Sequence, residues 1–92
     1  MKQAQQEFLA RIASSDLLTM TVDNVVTTAR GFAFLWNGAT DVHCVVEVDG
    51  GVLEYDHLGP HDDPVGVPDY TYPSIRGLVE ALENTTRQDL TT

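Results

Sequence analysis

The residues of this chain with the richest coordination chemistry lie together in Asp56-His57-Leu58-Gly59-Pro60-His61-Asp62-Asp63. Imidazoles and carboxylates ligate zinc, nickel and iron-type ions, so this cluster could in principle meet one cation. The spacing argues against it. His57 and His61 are four residues apart, but the intervening Gly59-Pro60 denies the helix that would bring them to one side. The expectation is therefore a turn-rich loop whose aspartates cap backbone groups, with no metal and no cofactor. A small metal-binding protein or enzyme using His57–Asp63, completed at a dimer interface, is the alternative.

A second pair with chemical potential is His43-Cys44. A thiol–imidazole dyad needs the two groups within hydrogen-bond reach. Neighbours on a strand point to opposite faces, so these two cannot form one. Cys44 is expected among core valines and His43 on an exposed sheet surface. Glu47, Asp49 and Glu54 fall on the outer side of one hairpin, where nothing would bury a carboxylate and split its pKa from its neighbours'. Gly-rich phosphate loops and nucleophile elbows are absent from the sequence. No catalytic residue is expected.

Charge is the sharper signal. Fourteen acidic residues against five basic ones give a net charge of −9 over 92 residues. Between Arg30 and Arg76 there is no Lys or Arg, while Asp41, Glu47, Asp49, Glu54, Asp56, Asp62, Asp63 and Asp69 all lie there. Phosphate backbones and anionic lipid surfaces would be repelled, so neither direct nucleic-acid binding nor membrane-surface binding is expected. A basic protein surface would be attracted, and these eight acids are the expected partner-binding residues.

The elements that must position these groups follow from periodicity. Ala4, Phe8, Leu9 and Ile12 recur at helical spacing within residues 2–15, and Ser14-Ser15-Asp16 ends that helix. Leu18 to Val22 and Val25 to Thr28 read as two short strands around an Asp23-Asn24 turn, with one longer strand from Val25 as the competing reading. Gly31 to Trp36 is a strand with Phe32, Phe34 and Trp36 on one side, followed by an Asn37-Gly38 turn. His43 to Asp49 and Gly51 to Asp56 form a hairpin about Asp49-Gly50-Gly51. Val42, Cys44, Val46, Leu53 and Tyr55 are assigned inward, and Val45, Val52 and Glu54 outward. Residues 57–72, with Pro60, Pro64 and Pro68, read as an irregular functional loop. Pro73 opens a second helix with Ile75, Leu78, Val79 and Leu82 on one stripe, ending near Asn84, with a frayed polar tail over 85–92.

The sequence thus predicts one small acidic α+β domain. Its form is a two-layer sandwich, in which an antiparallel meander sheet of three to four strands carries an N-terminal and a C-terminal helix. A lone cysteine and a polar start without a secretory h-region point to a reducing, cytoplasmic setting. The expected function is a non-enzymatic protein-binding module, an inhibitor of anti-defence or immunity type that occupies a basic, nucleic-acid-binding surface. A homodimer through apolar residues such as Leu35, Val45 and Val52 is a further expectation.

Overall fold

The computed structural model describes residues 3–36 and 42–91. The expected Asn37-Gly38 turn and Asp41 lie outside the described residues, as does the side chain of Asp62. The element order is α1 (Gln3–Ala13), β1 (Val25–Thr27), β2 (Gly31–Leu35), β3 (Val42–Val48), β4 (Gly51–Tyr55), β5 (Tyr70–Tyr72) and α2 (Ile75–Thr91). The strands form one five-stranded antiparallel meander in the order β1-β2-β3-β4-β5. Both helices pack on the same face, giving the expected α+β two-layer arrangement with one strand more than expected.

The sheet departs from the expected one at both edges, and the added strand is β5. Leu18 to Val22 is not a strand. Ser15 accepts the backbone N–H groups of Leu17 and Leu18 on its hydroxyl, and Val22–Asn24 closes a 3₁₀ turn in which Asn24 Oδ1 accepts from Thr21 N at 3.0 Å. Leu18 and Met20 are buried all the same, as core residues of a connection. At the other edge, Tyr70–Tyr72 leaves the proline-rich loop to pair with β4, because residues 70–72 carry no proline and can complete a ladder.

The main core lies between helices and sheet. Phe8 of α1 packs on Phe32 and Phe34 of β2 with ring centroids 4.9 Å and 5.0 Å apart. Val45, Val52, Ile75, Leu78, Val79 and Leu82 fill the rest. This corrects the assignment of the β3–β4 hairpin: Val45, Val52 and Glu54 face the helices, whereas Cys44, Leu53 and Tyr55 face away. Both faces of the hairpin are apolar, so alternation alone could not choose between them. Pairing chooses: Phe32 lies opposite Val45, and Val45 opposite Glu54, so all three share the side that Phe32 presents to Phe8.

Ser74 caps α2, its hydroxyl accepting the N–H of Gly77 at 3.2 Å. The helix does not stop at Asn84. Thr85 and Thr86 hydroxyls bond back to the carbonyls of Ala81 and Leu82, Arg87 holds Asn84, and Thr86 is buried, which carries the helix to Thr91. Trp36, just beyond β2, is partly buried and packs on the main core as its parity with Phe32 and Phe34 requires.

The β3–β4 turn generates a test. Gly50 sits at φ 82°, the left-handed region that L side chains avoid, and a Cβ on Gly51 would collide with the backbone carbonyl of Tyr72. Gly50→Val is expected to destabilise by about 1–2 kcal/mol. Gly51→Val is expected to cost more, because it separates β5 from β4. Denaturant melts equal to the parent for both would contradict the register.

Candidate functional site

Two places collect functional side chains, one on each face of the sheet. On the face away from the helices, Ala33, Cys44, Val46 and Tyr55 form a second, smaller core. The loop after β4 straps across part of it. Leu58 packs on this core and bridges to Pro64, and Gly59 N–H donates to the Asp63 carbonyl at 2.8 Å. Gly59 is needed there, since a Cβ would come within 2.7 Å of a Val65 methyl. The strap covers the Tyr55 side only. Over β1, β2 and β3 it leaves an open groove of about 420 Å³ floored by Ala33 and Cys44, walled by Val26, Leu35 and Pro64. Asp23, Arg30, His61 and Asp63 stand at its rim. Val26 and Val48, on the same face, are 58% and 44% exposed.

On the helix-facing side, at the far end of the β3–β4 ladder, lies a polar cluster. The two-residue turn Asp49-Gly50 pairs Val48 with Gly51, and the same register brings His43 opposite Asp56. His43 Nδ1 lies 2.7 Å from Asp56 Oδ1 and 3.4 Å from Glu54 Oε2. Phe34 stacks on the imidazole at 5.2 Å and Trp36 meets it edge-on. His43 is therefore not the exposed residue expected. Glu54, placed outward by the sequence reading, is 4% exposed. Its Oε1 and the Trp36 Nε1 are sealed from solvent without a hydrogen-bond partner.

Electrostatics follow from this packing. The hydrogen bond that the protonated His43 donates to Glu54, against the opposing effect of burial and with help from Asp56, raises the His43 pKa to about 9. Burial raises Glu54, partly countered by His43. Tyr72 is raised by burial and by the negative charge of Glu54. The cluster thus holds an imidazolium beside Asp56 and a carboxyl group reluctant to ionise. Among the described residues, His43, Glu54 and Asp56 are the set of three whose ligand atoms lie within 4.8 Å of one another.

The remaining acids divide by role. Asp69 Oδ2 accepts the backbone N–H of Asp56 at 2.7 Å, and Oδ1 pairs with His57 Nδ1 at 2.7 Å. Those bonds hold its carboxyl below the ordinary range, and they latch the end of the strap to the end of β4. Glu47, Asp49 and Asp63 are exposed. His57 is thus tied to Asp69 while His61 stands at the groove rim, and the two join no three-ligand set among the described residues.

Comparison of the chain with protein-family models, with curated proteins and with solved structures finds no match in any of the three. Among the described residues no helix is long and apolar enough to cross a membrane.

The His43 shift predicts a pH profile. The folded pKa lies above the ordinary 6.5, so the stabilisation is fully present below pH 6.5 and is lost as pH rises through about 9. Its ceiling is on the order of 3 kcal/mol. Denaturant melts from pH 6 to 10 should show this loss in the parent and not in His43→Gln. Identical profiles would remove the buried imidazolium.

Proposed function

We propose that this chain is a non-enzymatic protein-binding module whose contact surface is the groove face of its sheet. The partner is a basic protein surface that sets an apolar side chain into the groove and Lys or Arg side chains against the surrounding acid. The carrying observation is that groove itself: an apolar trough opposite the helices, bordered by the exposed Val26 and Leu35 with the acids Asp23 and Asp63 at its rim, in a chain of net charge −9. Apolar contact supplies affinity, and the acidic field supplies fast encounter and choice of partner.

Charge also favours a different protein over a second copy. Two chains of net charge −9 that paired these faces would repel one another on approach. A surface evolved to hold phosphates is the natural complement, so the module acts by competition: it covers a nucleic-acid-binding surface and needs no catalytic group to inhibit it. The assignment to an inhibitor of anti-defence or immunity type rests on an analogy of charge and size. The buried thiol of Cys44 suits a reducing cytoplasmic compartment.

The test pairs surface variants with salt. The protein is immobilised, basic nucleic-acid-binding proteins are presented, and association and dissociation rates are measured for those retained. Leu35→Arg with Val26→Arg is expected to speed dissociation by about tenfold or more, the cost of losing one well-filled apolar contact. Asp63→Lys with Asp49→Lys should slow association and flatten its salt dependence. Glu7→Lys with Glu80→Lys, on the helices, should leave both rates near the parent's. Retention that ignores the groove variants would overturn the reading. So would a stable homodimer abolished by Leu35→Arg, which would assign the groove to a second copy.

A further inference from the structure

The polar cluster on the opposite face of the sheet takes no part in that reading. His43 comes from β3, Glu54 from β4, and Asp56 from the residue after β4 ends. All three ride on a hairpin whose register the turn fixes. Phe34 and Trp36 hold the imidazole plane, and the Asp69 latch holds the backbone of Asp56. Ligands carried on strands and packed from behind are positioned before any ion arrives.

We propose that His43, Glu54 and Asp56 form a binding site for one divalent cation of the zinc type. The donor set is one imidazole nitrogen and two carboxylates, which zinc accepts, with a further position open to water. The geometry is close to what the ion requires. Two ligands of a tetrahedral zinc with bonds of about 2.0 Å stand about 3.3 Å apart. His43 Nδ1 and Glu54 Oε2 are 3.4 Å apart. His43 Nδ1 and Asp56 Oδ1, at 2.7 Å, hold a proton between them and must open by about 0.6 Å when the ion takes the proton's place.

One observation besides the ligand geometry points to a missing ligand. Glu54 is 4% exposed, and its Oε1 has neither solvent nor a hydrogen-bond partner. Leaving such an oxygen unpaired is costly, and a cation chelated by both oxygens of the Glu54 carboxylate satisfies it. Cys44 is excluded, since it faces the other side of the sheet.

Chelator-treated protein titrated with zinc chloride in a calorimeter, at neutral pH in a non-coordinating buffer, decides the matter. One ion per chain is expected, with a dissociation constant of about 10 µM or tighter and a rise in melting temperature on saturation. Asp56→Asn and His43→Gln should each weaken binding by about tenfold or more. His61→Ala should leave it unchanged, and so should the Val26→Arg, Leu35→Arg groove variant. The site therefore stands or falls separately from the protein-binding face. If a cluster variant does not fold, manganese titrated into the unaltered protein replaces it, with NMR signals nearest His43 and Tyr72 broadening first. No saturable binding up to about 1 mM overturns the proposal. Binding that persists in Asp56→Asn and His43→Gln overturns it too, as does broadening centred on Asp49 or Asp63.

Discussion

The pairing of Phe32 with Val45 across β2 and β3 decides most of what this molecule is. A one-residue slip would send every side chain of the β3–β4 hairpin to the opposite face. In the observed register Val45 and Val52 join Phe8, Phe32 and Leu78 beneath the helices, and Ala33, Cys44 and Val46 are left to build the face that carries the groove. The same register carries His43, Glu54 and Asp56 to one end of the helix-facing side. Core, groove and polar cluster are three consequences of one ladder.

That ladder also sorts the acidic residues. A run of eight acids without a compensating base reads as one negative surface in sequence, but the fold divides it. Asp69 is bound to backbone N–H groups and to His57, and its carboxyl lies below the usual range because those donors stabilise its charge. Glu54 and Asp56 turn toward His43, and burial raises the pKa of Glu54. Glu47, Asp49 and Asp63 keep their exposure. The acid-rich segment is therefore partly architecture and partly surface.

The strap after β4 connects the two faces. It leaves the sheet at Asp56, lays Leu58 over the second core, borders the groove with His61, Asp63 and Pro64, and returns through Asp69 to β5. Its latch therefore bears on both sites: loosening Asp69 would free the backbone of Asp56 in the cluster and the wall of the groove together. In a domain this small, with a thin core, one segment has to serve several roles.

The two amphipathic helices were legible because 3.6-residue spacing is a local property, and Phe8, Ile12, Ile75, Leu78 and Leu82 carry it unambiguously. The β3–β4 hairpin was legible because Asp49-Gly50 needs only local backbone freedom to turn. Even the opposition of His43 and Asp56 is implied by a two-residue turn, had the ladder been counted back from it. What sequence could not decide was which face of that hairpin meets the helices. Both faces alternate in apolar residues, and the choice is made by β2, where the aromatic Phe32 and Phe34 need more covered volume than Ala33 on the other side. Likewise α2 runs past Asn84 because Thr86 finds burial, and Glu54 is buried because Val45 lies beside it. Periodicity and turn chemistry act within a few residues, so sequence alone determined the elements. Side-chain environment is settled by neighbours far along the chain, so only the tertiary structure decided which carboxylates meet water and which meet His43.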